Sequence, residues 1–316
     1  MSFFRSREFV LLGLLIALLV FASIVEPRFV APRAQFMFAT HLWELALVAV
    51  PMLLIIMIGG IDLSVGAMVA FSAVTLGLAY ERGFQPFVAA GLAILAGTAL
   101  GFANGWFVAK LRVHPLIVTL ATMAAYRGIA EGISLARPIS GFPQPFLSIS
   151  QGSVAGISIP MIAFTVFAFL AWLVLAKFRL GRWIVAIGTG ETAAEYSGIP
   201  VGRVKVALYT LSGLVCGIAA TLLVARNNTA KADLGSGWEL EAITAVVLGG
   251  ASIEGGKGRV LGLVLGLLLI HETRTFVSLH WKRSELDLIV LGTLLIGALL
   301  FERLISIQRR KAAVPA

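Results

Sequence analysis

Uncharged apolar stretches recur along this chain at residues 9–25, 45–61, 63–80, 83–109, 158–176 and 206–225. Each is long enough to cross about 30 Å of hydrocarbon as a helix. Weaker runs at 115–134, 241–253, 260–270 and 288–301 extend the pattern to about ten spans. Composition agrees, since 59% of the 316 residues are hydrophobic and only 13% are charged, more apolar side chain than one water-soluble core can hold. The expected fold class is all-α, a polytopic membrane protein.

A net charge of +9 would point a soluble protein towards nucleic acid. Here the basic residues sit at the ends of apolar runs with no aromatic-basic platform beside them, so nucleic acid is not an expected partner. They read as topology signals. With the N-terminus inside, the cations at 110–112, 177–205 and 257–259 and the tail residues Arg303, Arg309, Arg310 and Lys311 gather on the cytoplasmic side, as the positive-inside rule expects. An even number of spans then puts both termini there. The first run follows Arg5 and Arg7 as a signal peptide would, but Ser23-Ile24-Val25-Glu26 is a poor cleavage site and further spans follow. No composition break marks a second domain, so residues 1–316 are expected to form a single transmembrane domain. The longest outer stretch, 137–157, is rich in Pro, Gly and Ser; it reads as a loop or re-entrant cap, either a landing surface for an external partner or a plain connector.

Enzyme chemistry finds little support. Residues 251–258 (ASIEGGKG) lack the first glycine and the Ser/Thr after lysine that a phosphate-binding loop needs. The four histidines have no metal-ligand spacing, the lone Cys216 allows no internal disulfide, and no serine stands in a nucleophile elbow. No catalytic residue, metal or cofactor is expected on this chain.

Residues 59–66 (GGIDLSVG) are echoed by 249–256 (GGASIEGG). Paired Gly-rich breaks between spans, each carrying an acid, are a feature of internally repeated transporters, because glycine lets helices approach and lets backbone line a cavity. The alternative is two independent turns at the membrane interface. Asp62, Ser64, Glu241, Thr244, Gly249 and Gly250 are the candidates for a translocation pathway. Asp62 also reads as a cap of the following helix at a cytoplasmic helix end. Trp238 with Glu239 and Glu241 could meet a hydroxyl-rich solute, Arg127 and Glu131 are four apart and can pair, and Glu272 and Arg274 fit an outer interface.

Residues 177–205 interrupt the apolar pattern with a basic, turn-rich stretch. Lys177, Arg179 and Arg182 anchor the end of one span; Arg203 and Lys205 anchor the start of the next. Between them Thr192-Ala193-Ala194-Glu195 has the capping-box pattern, Thr189 is an alternative cap, and Gly198 with Pro200 supplies a stop. One short helix is expected, too short to be stable alone and therefore held by contacts. Its small residues Ala193, Ala194, Ser197 and Gly198 permit close docking on a partner.

Residues 181–201 (GRWIVAIGTGETAAEYSGIPV) resemble the cytoplasmic coupling region of ribose-type ABC importer permeases. Residues 59–66, 115–122 with Arg127-Gly128, and 242–258 (AITAVVLGGASIEGGKG) are similar to three further signatures of that family. The resemblance implies about ten helices in the vitamin-B12-permease-like arrangement and a bacterial inner-membrane location. It also implies a second permease copy or paralogue, a periplasmic sugar-binding protein and a cytoplasmic ABC ATPase that holds ATP and Mg. ATPase coupling is carried over to Thr189, Gly190, Glu191, Thr192, Ala193, Ala194, Glu195, Tyr196, Ser197 and Gly198. The chain departs from the family at Gly190, where Asn is usual, at Glu195, where a basic residue is common, and at Ala121, where Gly is frequent. Residues 230–235 and 269–274 look most like the rhamnose and autoinducer-2 sub-branch. The rival expectation is an ion-coupled secondary sugar transporter using Asp62, Glu131 or Glu241.

Overall fold

The computed structural model describes residues 7–282 together with 286, 289–294 and 296–297. The expected span at 288–301 lies partly outside these residues, and the basic tail lies wholly outside them. In chain order come α1 (Arg7–Val25), α2 (Pro32–Ala39), α3 (Trp43–Met57), α4 (Val65–Glu81), α5 (Pro86–Lys110) and α6 (Pro115–Ser134). The segment after α6 holds β1 (Ile139–Ser140), α7 (Gln144–Gln151), β2 (Ser153–Val154) and β3 (Ile157–Ser158). Next are α8 (Ile159–Lys177), α9 (Arg179–Thr189), α10 (Glu191–Tyr196) and α11 (Val201–Asn227). The described chain ends with β4 (Thr229–Ala230), α12 (Trp238–Leu248) and α13 (Val260–Trp281).

Each expected run within 9–270 falls on a helix, but the helices are unequal. Among the described residues six helices could cross a membrane by length and composition, or seven if α2 and α3, bent by 58°, make one broken span. At 1.5 Å per residue α4 is only about 26 Å long and α12 about 17 Å, so neither is a full crossing by itself. α13 is longer than its apolar run: the helix continues through His271, Glu272 and Arg274.

α11 is the axis of the bundle. Its best apolar window is 67% buried, against 22–28% for α1, α5, α6 and α8, which turn apolar faces outward. α5 lies along α11 at backbone contact. A Cβ added to Gly101 would sit 2.3 Å from the Tyr209 carbonyl oxygen, and one on Gly213 would sit 2.1 Å from that of Gly97. Gly105 and Gly217 extend the same seam against Val206 and Ile94. Gly97, Gly101 and Gly105 recur every fourth residue, so they form one stripe on α5. Without a hydrophobic drive between helices in lipid, small residues at such a seam let dispersion and backbone contacts do the packing. That stripe is legible in the sequence as three glycines at a spacing of four.

At the end of α11 reached by Asn227, the stretch after α6 folds back on the bundle. β1 pairs antiparallel with β4, Ile139 opposite Ala230. The Phe142 N–H donates to Asn228 Oδ1 at 2.9 Å, and Arg137 forms a two-pronged bond to Glu81 at 2.6 and 2.7 Å. The two two-residue ladders are the β-structure among the described residues. Gly213→Val should collapse the α5–α11 seam, lowering the yield of monodisperse protein in detergent and costing about 3 kcal/mol or more. Gly91→Ala, where nothing lies within 4 Å of the added atom, should leave both unchanged.

Candidate functional site

Residues 177–205 hold two helices rather than one. α9 is strongly amphipathic: Gly181, Ile184 and Ile187 are buried at helical spacing while Arg179 and Arg182 stay exposed. α10 follows after Gly190, whose extended backbone any residue could adopt. The capping box does not form, because Thr192 is already the second helical residue and no side chain caps α10. Glu195 instead faces Arg112 at 3.6 Å and Glu191 takes Lys205 at 2.6 Å. The stop is as expected. Gly198 has φ +80°, its N–H reaches the Glu195 carbonyl at 3.0 Å and the Ile199 N–H reaches that of Ala194 at 3.1 Å. This is the paired closure of a Schellman motif. Ala194 is only 4% exposed, so it faces the bundle, whereas Tyr196 is 89% exposed and projects from the molecule.

The two echoed glycine pairs terminate helices in the same way. Gly59 (φ +77°) ends α3, with the Gly60 N–H on the Ile55 carbonyl at 2.9 Å; Gly250 (φ +93°) ends α12, with the Ala251 N–H on that of Val246 at 3.1 Å. The α3 stop meets the α12–α13 connection beside α9. The Gly256 N–H donates to the Met57 carbonyl at 2.8 Å, and a Cβ on Gly188 would lie 1.9 Å from that same oxygen and 2.3 Å from Gly256 N. α9 is therefore wedged against the ends of α3 and of the α12–α13 connection.

After its stop, the chain from 60 to 64 stays inside the bundle. Asp62 is fully buried. Its Oδ1 accepts from the Ser64 N–H (3.1 Å) and hydroxyl (2.6 Å), and its Oδ2 from the Ser212 hydroxyl (2.9 Å). Asn104 Nδ2 donates to Ser64 Oγ at 2.7 Å, and the Tyr126 hydroxyl donates to Asn104 Oδ1 at 3.1 Å. Thr119 and Tyr209 both donate to the Ile61 carbonyl. Ser212 lies about 16 Å along α11 from its start at 1.5 Å per residue, so Asp62 is within the bundle rather than at a cytoplasmic helix end. It bonds Ser64 across a tight turn and does not cap the first turn of α4.

A cavity of about 870 Å³ opens near the far end of α11, between α3, α11, α12 and α13. Its wall includes Trp238, Glu241, Arg226, Arg274, His41 and His271. Arg274 meets Glu241 at 2.5 Å, and Arg226 meets the fully buried Glu44 at 3.2 Å. Arg226 Nη1 also donates to the Thr40 carbonyl and lies 2.7 Å from His41 Nδ1.

Residues 35–299 match a protein family described as branched-chain amino acid transport system / permease component. The chain belongs to this family. The ribose import permease protein of Bacillus subtilis (strain 168) is 37% identical over 294 residues, covering 92% of this chain and 91% of that protein. The D-allose transport system permease protein of Escherichia coli (strain K12) is 38% identical over 252 residues, 79% of this chain and 77% of the relative. An autoinducer 2 import system permease protein of the same strain is 32% identical over 310 residues, 96% and 94%. These are transport subunits, not enzymes, and the ribose-type resemblance of the four motifs holds. No solved structure matches the chain.

The permease fold scatters the pathway candidates. Glu241 opens on the cavity, while Asp62 and Ser64 belong to the buried network. Thr244 is fully buried, its hydroxyl on the Leu240 carbonyl. Gly249 packs against Gly262, and Gly250 supplies the left-handed stop. Arg127 does not bridge to Glu131; it donates to the Ala232 and Leu234 carbonyls, holding down the chain before α12. Arg274 and Glu241 meet across α12 and α13, and Glu272 accepts from Gln35 at 3.1 Å. His41, Arg226, Asn104, Tyr126 and Ser212 went unnoticed in the sequence, although a polar side chain within or beside an apolar span is the signal that would have found the last three. Asp62→Leu should strand the Ser64 and Ser212 hydroxyls and destabilise the bundle by about 3 kcal/mol, seen as a lower unfolding temperature in detergent. Asp62→Asn, which keeps an acceptor for Ser64 and a donor for Ser212, should lose much less.

Proposed function

We propose that this chain is the membrane permease subunit of a binding-protein-dependent ABC importer for a monosaccharide in the bacterial inner membrane. Residues 1–316 act as one permease domain with the coupling segment 177–205 inside it and both termini cytoplasmic. About ten helices in the vitamin-B12-permease-like arrangement are completed by the span at 288–301. A second permease copy or paralogue, a cytoplasmic ABC ATPase carrying ATP and Mg, and a periplasmic sugar-binding protein complete the machine. Relatives named for ribose, allose and autoinducer 2 import support a small sugar-like cargo.

The observation that carries this reading is the α9–α10 element. A closed, six-residue helix presents Thr192, Glu195 and Tyr196 outward, while Ala194 and Gly188 sit against the bundle. A push on α10 from an ATPase would reach α3 and the α12–α13 connection through the Gly188–Met57–Gly256 contact, with backbone on backbone and no flexible side chain between. Such a rigid relay is what a transition between inward- and outward-facing states requires. The cargo passes Glu241 and the cavity wall, with Asp62, Ser64, Thr244, Gly249 and Gly250 holding the pathway's frame.

Coupling residues 189–198 differ in their parts. Tyr196 is the projecting contact, Gly190 leaves the N-cap empty where the family's Asn would fill it, and Ala194 holds α10 to the bundle. Tyr196→Asp should lower both sugar uptake and sugar-stimulated ATP hydrolysis at least about tenfold, as loss of a central aromatic contact does, with insertion and yield unchanged. Wild-type uptake should survive a protonophore at fixed ATP. Uptake that collapses with the protonophore and needs no ATPase would mean ion coupling instead.

A further inference from the structure

We infer that the cavity between α3, α11, α12 and α13 is a binding subsite, within a single permease copy, for a neutral monosaccharide rather than a phosphorylated or acidic one. The inference rests on the importer reading and adds to it the charge class and the place of the cargo. The cavity's volume of about 870 Å³ is within the range of small-molecule sites, with room for a sugar and its remaining water. Trp238, the first residue of α12, is an aromatic side chain, partly buried, that lines the space. Ser236 and Ser278 add hydroxyls to the wall.

The charges decide the ligand class. Both arginines of the wall are already joined to carboxylates, Arg274 to Glu241 at 2.5 Å and Arg226 to Glu44 at 3.2 Å. Asp233 is likewise held by Lys231 at 2.9 Å, and Lys282 caps α13 at the exposed rim. A phosphate or carboxylate entering the chamber would compete with Glu241 or Glu44 for its arginine and leave behind an unpaired carboxylate whose side chain is only 14% or 0% exposed, a costly exchange. A neutral polyol needs no such exchange. A hydroxyl both donates and accepts, so adjacent hydroxyls can bridge the Arg274–Glu241 pair, giving to the carboxylate and taking from the guanidinium while the pair stays intact. The two arms of that pair lie on α12 and α13, the helices joined at the Gly256 contact with Met57, so the subsite is built on elements that the coupling segment touches.

The test is saturation-transfer NMR on the full-length permease in lipid nanodiscs, without ATPase or binding protein, using neutral aldopentoses, aldohexoses and 6-deoxyhexoses beside D-ribose 5-phosphate. Signal is expected for at least one neutral sugar and not for the phosphate. Ser278→Trp, which fills the space and keeps every charge, and Glu241→Gln should each reduce that signal about tenfold, the worth of one hydrogen bond to a charged group. Ser278→Trp keeps the question open to decision if Glu241→Gln fails to fold. The subsite is overturned if no neutral sugar gives signal, if the phosphate gives as much, or if Ser278→Trp leaves the signal intact. Uptake by the complete complex is measured in parallel. Uptake by the wild type without a subsite signal removes the subsite and spares the importer, whereas no ATP-dependent uptake of any of these sugars removes the importer reading itself.

Discussion

A peptide group without a partner costs several kcal/mol in hydrocarbon, and this bundle carries a non-helical turn, residues 60–64, in its interior. The rest of the arrangement follows from satisfying that turn. The Gly60 N–H returns to the Ile55 carbonyl of α3 through the Schellman closure, the Ser64 N–H goes to Asp62, and the Ile61 carbonyl receives hydroxyls from α6 and α11. The Asp62 carboxylate, bonded from Ser64 and Ser212, ties the turn to α11, while Asn104 and Tyr126 carry the chain of bonds to α5 and α6. α4 is short because it starts from this sunken turn, not from the membrane surface.

Close helix approach is the second requirement, because each of those side chains is short. Ser64, Ser212 and Asn104 meet only where backbones nearly touch, and the glycines of α5 and α11 allow that. The same means recur at Gly249, Gly262 and Gly266, where α12 and α13 pack backbone to backbone. Polar bonding and small-residue packing are thus one design: glycine brings the helices near, and hydroxyls and an amide fix their register.

The two ends of the bundle differ in kind. One end is stiff: among the described residues α3, α10 and α12 close on glycines, and the α3 stop and the α12–α13 connection lie against α9 with little side chain between backbones. The other is roomier and charged, with paired Arg–Glu groups around a cavity near the end of α11. A transporter driven from one side and loaded from the other needs that asymmetry, since force is passed best by rigid contact and cargo is held best by groups that can be shared.

The sequence by itself determined the helices, the membrane setting and the family. Uncharged runs admit few other structures in lipid, and Gly198, Gly59 and Gly250 mark stops because few residues other than glycine take a left-handed backbone cheaply. It also marked out residues 177–205, the segment proposed to couple to an ATPase, though α9 was hidden by its mixed charge and the capping box was a false signal. Only the tertiary structure decided what each polar residue does. Asp62 and Glu241 look alike in the sequence, each an acid beside a Gly-rich or aromatic break. Yet one is enclosed by three donors and the other faces a cavity across from Arg274. Periodicity reports which way a helix faces on average, whereas burial and bonding of a single side chain depend on neighbours brought from far along the chain, such as Ser212 to Asp62 and Met57 to Gly256.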